Sequence, residues 1–178
     1  MAHRRLIIDK IGSILDATDQ TYDQQLTAMV DQASRIFIAG AGRSALVARF
    51  FAMRLMHGGY NVFVVGEIVT PSLSKGDLLI VISGSGETET MIAFAKRAKE
   101  LGGKLVLISS RTTSTLGDMS DKVIPIGQPD LYGQVVGMPM GTVFELSTLV
   151  FLEATVSHII HEKGIAEEEM RARHANLE

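Results

Sequence analysis

Cysteine is absent from the 178 residues, which excludes disulfides, thiolate metal sites and cysteine nucleophiles together. A surplus of either charge is missing as well. Seventeen basic residues against twenty acidic ones leave a formal net charge of −3, with the two signs interspersed. A nucleic-acid binder would present a basic face, so that class falls away. No targeting segment is expected, because Met1-Ala2-His3-Arg4-Arg5 leads into an amphipathic stretch and not into a continuous apolar one. A clean membrane span is lacking too. The most apolar stretch, Thr142 to Ile160, carries Glu145, Glu153 and His158, and reads as a buried helix of a soluble, cytoplasmic protein. Linkers and low-complexity segments are also missing, and the length fits one domain, residues 1–178, better than two.

What the chain does have is an apolar surplus. Apolar residues make up 46% of it and the mean hydropathy is +0.22. That is more than a monomer of this size readily covers, so subunit interfaces are expected. The pattern alternates between short runs and longer periodic stretches. Strands are expected at Arg35 to Ala39, Asn61 to Val65, Leu78 to Ile82, Lys104 to Ser109 and Val123 to Ile126. Helices are expected from Arg4 to Val30, Ser44 to Met56, Thr88 to Leu101, Pro139 to Lys163 and Ile165 to Arg173. The helical segment over about residues 1–30 would pack on the core or on a partner subunit. Alternating strands and helices imply a single α/β domain: a five-stranded parallel sheet with helices on both faces, in the flavodoxin-like order 2-1-3-4-5. Gly127 to Met138 is the longest loop and a candidate lid.

Two loops repeat one pattern. Gly40-Ala41-Gly42-Arg43-Ser44 and Gly84-Ser85-Gly86-Glu87-Thr88 both follow a strand, open a helix and read Gly-x-Gly-x-hydroxyl. Parallel strands bring both to the carboxyl edge of the sheet, where α/β folds bind ligands. In the second loop, glycines let the backbone approach a ligand, and Ser83, Ser85 and Thr88 add hydroxyl donors. The helix start supplies unpaired N–H groups and a partial positive charge. The segment contains neither lysine nor arginine, so a phosphate there would be held by neutral donors and the helix dipole. The competing reading is a turn closed by a Thr88 N-cap. The first loop stays open between a sugar-phosphate contact, a tight turn and the fingerprint G-x-G-x-x-A of dinucleotide sites, with Glu67 placed to hold a ribose.

Glu145 lies near the start of an apolar helix. It either answers the positive helix end or, desolvated among Phe144, Leu146 and Leu149, has its pKa raised toward that of a general base. Glu87 and Glu89 suit a first helical turn, and Glu153 suits a pair with the next subunit. His57 closes a helix before Gly58-Gly59, as a C-terminal cation or as a polar group for a neighbouring subunit's site. His158-x-x-His161 has helical spacing but no evident third ligand, so no metal site is expected. His174 sits in a polar tail.

With these segments in view, the chain resembles the sugar isomerase (SIS) domain family, whose phosphosugar loop reads Ser-Gly-Ser-Gly-Glu-Thr, as in Ser83 to Thr88. Gly40 to Ser44, Met53 to His57, Gly66 to Pro71 and Gly76 to Ile80 match as well. Pro139 to Glu145 and the ending Arg173-His174-Ala175-Asn176-Leu177-Glu178 point to its 6-phospho-3-hexuloisomerase branch. The resemblance implies interconversion of 3-hexulose 6-phosphate and fructose 6-phosphate through a cis-enediol(ate). It implies a homotetramer, no metal and no cofactor, and coupling to hexulose-phosphate synthase in formaldehyde fixation by the ribulose monophosphate route. It places substrate contacts at Ser44 and at Ser83, Gly84, Ser85, Gly86, Glu87 and Thr88, and proton transfer at Glu145. Gly42, Arg43 and His174 join as further candidate contacts, and His57 as a second catalytic candidate. The alternatives are a sugar-phosphate sensor without turnover, another SIS isomerase and a nicotinamide-dependent oxidoreductase.

Overall fold

The computed structural model describes residues 2–177; Met1 and Glu178, the last residue of the tail motif, lie outside the described residues. Five strands form one sheet: β1 (Ile36–Gly40), β2 (Val62–Val64), β3 (Leu78–Ile82), β4 (Lys104–Ser109) and β5 (Lys122–Pro125). Their order is β2-β1-β3-β4-β5 and every pair is parallel, as the sequence pattern predicts. Apolar residues on both faces of the central strands fix the layers. Leu78, Ile80 and Ile82 of β3 enter one core, while Leu79 and Val81 enter the other. The same alternation holds in β4, with Val106 and Ile108 on one side and Leu105 and Leu107 on the other.

The first core is covered by α1 (Ala2–Asp16), α2 (Tyr22–Gln32), α3 (Arg43–His57) and α6 (Thr142–Lys163). The second is covered by α4 (Glu89–Glu100) and the short α5 (Thr115–Met119). A last helix, α7 (Glu167–Ala172), packs near α3. α6 is long and apolar enough to cross a membrane, but here it lies against α1, α2 and α3. It buries Phe144, Phe151, Leu152, Val156 and Ile159.

Several boundaries differ from the sequence reading. The first thirty residues form two helices, not one. Asp19 breaks them by accepting hydrogen bonds from the Thr21 N–H and hydroxyl, both at 2.8 Å, a local turn that competes with the helix. The Thr18 hydroxyl then accepts from Gly127 N–H at 2.8 Å and ties this break to the end of β5. α6 starts at Thr142, not Pro139, because Gly141 takes a left-handed backbone (φ 85°). The stretch Gly127 to Met138 contains a 3-10 turn at Pro129–Tyr132. Glu153 lies 3.0 Å from Arg54 Nε of its own chain.

Candidate functional site

The ends of β1, β3 and β4 bring three loops to the carboxyl edge of the sheet. After β3, the segment Ser83 to Thr88 is knitted to itself. Gly86 N–H donates to the buried Ser83 Oγ at 3.2 Å, and the hydroxyls of Ser83 and Thr88 lie 3.3 Å apart. Glu87 N–H donates to Ser85 Oγ at 3.1 Å. Gly86 needs its positive φ (68°), and a Cβ there would overlap the Ser114 hydroxyl. Thr88 stands at the N-cap position of α4 but its side chain makes no cap bond. The first N–H groups of α4 therefore have no hydroxyl cap and are left to solvent or an anion. The N-cap reading of Thr88 is replaced by this pairing with Ser83.

The β3 loop is also fastened to the β4 loop. The Gly84 carbonyl accepts from Ser109 Oγ (3.0 Å), Ser110 Oγ (2.7 Å) and Ser110 N–H (3.2 Å). Three donors on one carbonyl turn it toward β4 and keep its negative end away from the helix start. Glu87 lies ahead of α4 and not in its first turn. Its carboxylate accepts from Thr115 N–H at 2.9 Å. That bond holds its pKa below the usual carboxylate value, with the Arg111 charge as a weaker cause. Glu87 thus anchors the loop to α5 and does not offer a donor to an anion. A cavity of about 770 Å³ opens here, lined by Gly84, Ser85, Ser110, Arg111, Tyr132 and Met140 among others.

The loop after β1 is tighter. A Cβ on Gly40 would stand 2.8 Å from the Ser44 backbone, so glycine is what lets α3 start against the strand end. Gly42 (φ 55°) precedes α3, whose first residues are the exposed Arg43 and the buried Ser44. Arg43 Nε lies 3.6 Å from Glu145 Oε2. The Glu145 side chain is 14% exposed, and Oε2 has no hydrogen-bond partner among the described residues. Gly141 makes room for it, because a Cβ there would stand 3.0 Å from both carboxylate oxygens. The preceding residue, Phe144, packs where a Gly84 side chain would go, at 3.0 Å. The start of α6 therefore meets both loops. Arg43 and Glu145 line a second cavity of about 210 Å³ between α3 and α6.

His57 and His174 are brought together, but elsewhere. α3 runs fifteen residues away from Arg43, about 22 Å at 1.5 Å per residue, and ends near the amino edge of the sheet. There the buried His57 ring stacks on His174 with centroids 5.2 Å apart. Arg173 donates to the His57 carbonyl at 3.1 Å. Burial pushes the His57 pKa down, helped by the charges of His174 and Arg54. Within one chain, neither histidine reaches Glu145 or the β3 loop. Glu67, the candidate ribose-binding acid, is engaged by Arg49 at 2.7 Å. The sequence reading missed Ser109, Ser110, Arg111 and Tyr132. Their signal was present: the strand order places the end of β4 beside that of β3, so hydroxyls after β4 join the same edge.

A parallel α/β sheet with a glycine- and hydroxyl-rich loop at a helix start, next to a largely buried carboxylate, defines a ligand-binding domain of the doubly wound class. The SIS domain matches residues 29–152, and the chain belongs to the SIS domain family. It is 51% identical to the 3-hexulose-6-phosphate isomerase of Methylomonas aminofaciens, over 99% of this chain and 98% of that protein. It is 42% identical to the 3-hexulose-6-phosphate isomerase of Bacillus subtilis strain 168, over 86% and 85%. A crystal structure from Methanococcus jannaschii, from which a function of 3-hexulose-6-phosphate isomerase was inferred, superposes with a TM-score of 0.88. It is 34% identical, with both chains fully covered.

Proposed function

We propose that this chain is a sugar-phosphate isomerase that interconverts 3-hexulose 6-phosphate and fructose 6-phosphate, with Glu145 as the proton-transfer group. The observation that carries the reading is Glu145 itself: a largely buried carboxylate with one oxygen unpartnered, beside the loops of a domain whose relatives bear that name. Moving a carbonyl from C3 to C2 requires a proton to leave C2 and one to arrive at C3. One carboxylate can do both through a cis-enediol(ate). The reaction is internally balanced, so it needs no external electron acceptor. Charge that develops on the substrate oxygen calls for a nearby donor, and Arg43, 3.6 Å from Glu145, is the group in place.

The remote phosphate would sit on Ser83 to Thr88, where its binding energy orients the reacting carbons. Gly42 and Ser44 shape the first loop beneath. His57 and His174 can serve only the site of another copy, and this favours a homotetramer in which subunits complete one another's sites. The exposed Leu46, Met53 and Val150 on α3 and α6 supply apolar surface for such contacts. Residues 1–178 then form one SIS domain, acting in the cytoplasm beside hexulose-phosphate synthase in the ribulose monophosphate route. A coupled assay with ribulose 5-phosphate, formaldehyde and the synthase tests the reading. Fructose 6-phosphate should form only when this chain is added. Binding of hexulose phosphate without turnover would make the chain a sensor and end the isomerase reading.

A further inference from the structure

We infer that Arg111 is the cation that recognises the phosphate head of the substrate, a role that rests on the sugar-phosphate reading above. The donors that the β3 loop alone offers an anion are hydroxyls and N–H groups. A phosphomonoester brings nearly two negative charges at neutral pH, and withdrawing them even partly from water is costly without a counter-charge. Among the residues lining the large cavity beside Gly84 and Ser85, Arg111 is the one that carries a charge.

The fold delivers Arg111 by a specific route. Ser109 Oγ and both donors of Ser110 clamp the Gly84 carbonyl. Ser109 Oγ in turn accepts from Arg111 N–H at 3.1 Å. The backbone of Arg111 is thereby referenced to the phosphate loop through a single serine, although 25 residues separate Ser109 from Gly84. The guanidinium itself is exposed and makes no ion pair among the described residues. Glu87, the acid of the loop, is occupied by Thr115 N–H. It feels the positive charge of Arg111 without pairing with it. A planar, always charged fork on a fixed backbone, with no carboxylate engaging it, suits bidentate contact with two phosphate oxygens. A loop with no basic residue of its own thus acquires its cation from the end of the next strand.

The test uses the full chain with inorganic phosphate as the probe, followed by amide chemical shifts of Ser83 to Thr88. The wild-type protein should bind phosphate saturably, and Arg111→Gln should weaken binding by about tenfold, the size expected of a charge-assisted hydrogen bond. Arg111→Lys should recover part of the loss. Raising the ionic strength should weaken phosphate binding by the wild type more than by Arg111→Gln. In the coupled assay, Arg111→Gln should raise KM by a similar factor with little change in kcat. Equal phosphate affinity and equal salt dependence in the wild type and Arg111→Gln would overturn the assignment, as would wild-type protein that does not bind phosphate. These phosphate measurements do not depend on turnover, so a wild type that binds phosphate and isomerises nothing counts against the isomerase reading alone. Arg111 is exposed, so Arg111→Gln should melt with the wild type.

Discussion

The two edges of the sheet are built to opposite standards. At the amino edge, the carboxylates of Asp77 and Asp121 are satisfied. Asp77, 1% exposed, takes two hydrogen bonds from Arg35 at 3.1 and 2.6 Å and two more from Ser74 N–H and Oγ. Asp121 accepts from Lys99 at 2.8 Å and from Leu105 N–H at 2.7 Å. At the carboxyl edge, Glu145 has an oxygen with no partner, Arg43 stops at 3.6 Å from it, and the start of α4 has no side-chain cap. The amino edge invests its charges in stability. At the carboxyl edge, Glu145 and the start of α4 are left unsaturated, which is how a site differs from a structural network.

That contrast can be broken by substitution. Glu145→Gln should lower turnover by about a thousandfold, within the range for a general base, with the melting temperature nearly unchanged. Near-normal turnover in the coupled assay would move the chemistry to another group. Asp77→Asn should do the reverse. It leaves Arg35 without its charged partner at a buried site, a loss of about 2 kcal/mol or roughly 6 °C in thermal melts, with turnover per folded molecule preserved. If that variant lost activity but not stability, the division of labour between the edges would be wrong.

Smaller effects sharpen the same picture. Ser85→Ala should raise KM several-fold and lower kcat less, because the phosphate handle binds ground and transition states alike. An unchanged KM would take Ser85 out of the site. pH separates the edges as well. Burial pushes the Asp77 pKa up, but its bonds to Arg35 and Ser74 together outweigh that and hold it low, so its stabilisation is complete above the ordinary carboxyl value of 3.8 and is lost as pH falls through the folded value. His57 is also depressed, but as a base. The unfolded chain takes up its proton first, near pH 6.5, so stability should begin to fall as the pH drops below that value. Melting curves between pH 8 and 5 should show a shallow decline in the wild type and a flatter one in His57→Gln. Identical slopes would show that the histidine stack carries no such linkage.

Much of this was legible in sequence, and the reason is physical. Runs such as Leu78 to Ile82, short, β-branched and apolar on both faces, suit central parallel strands, and their alternation with helices suits a doubly wound sheet. The placement of Ser83 to Thr88 between a strand and a helix was legible because an apolar run precedes it and a periodic stretch follows. What was not legible depended on contacts far apart in the chain. α5, five residues long with Gly117 inside it, has too few turns to show a period. The start of α6 was misread because Pro139 suits a first helical turn, while Gly141 imposes a left-handed residue that only the structure reveals. The fastening of Gly84 by Ser109 and Ser110, and the arrival of Arg111, exist only once β4 lies beside β3. His57 and His174 were both marked, but nothing in the chain order announces that they would stack against each other at the other end of α3.

The length of α3 has a consequence for communication between sites. Its first residue faces Glu145 and its last stacks on the tail. A packed helix is stiff along its axis, so a displacement at Arg43 would carry to His57 if α3 moved as one body. In an assembly where His57 completes a neighbour's site, each copy of α3 is a rod with an end in two active centres. Substrate binding at one would then register at the next, and the signature to look for is a Hill coefficient that departs from one.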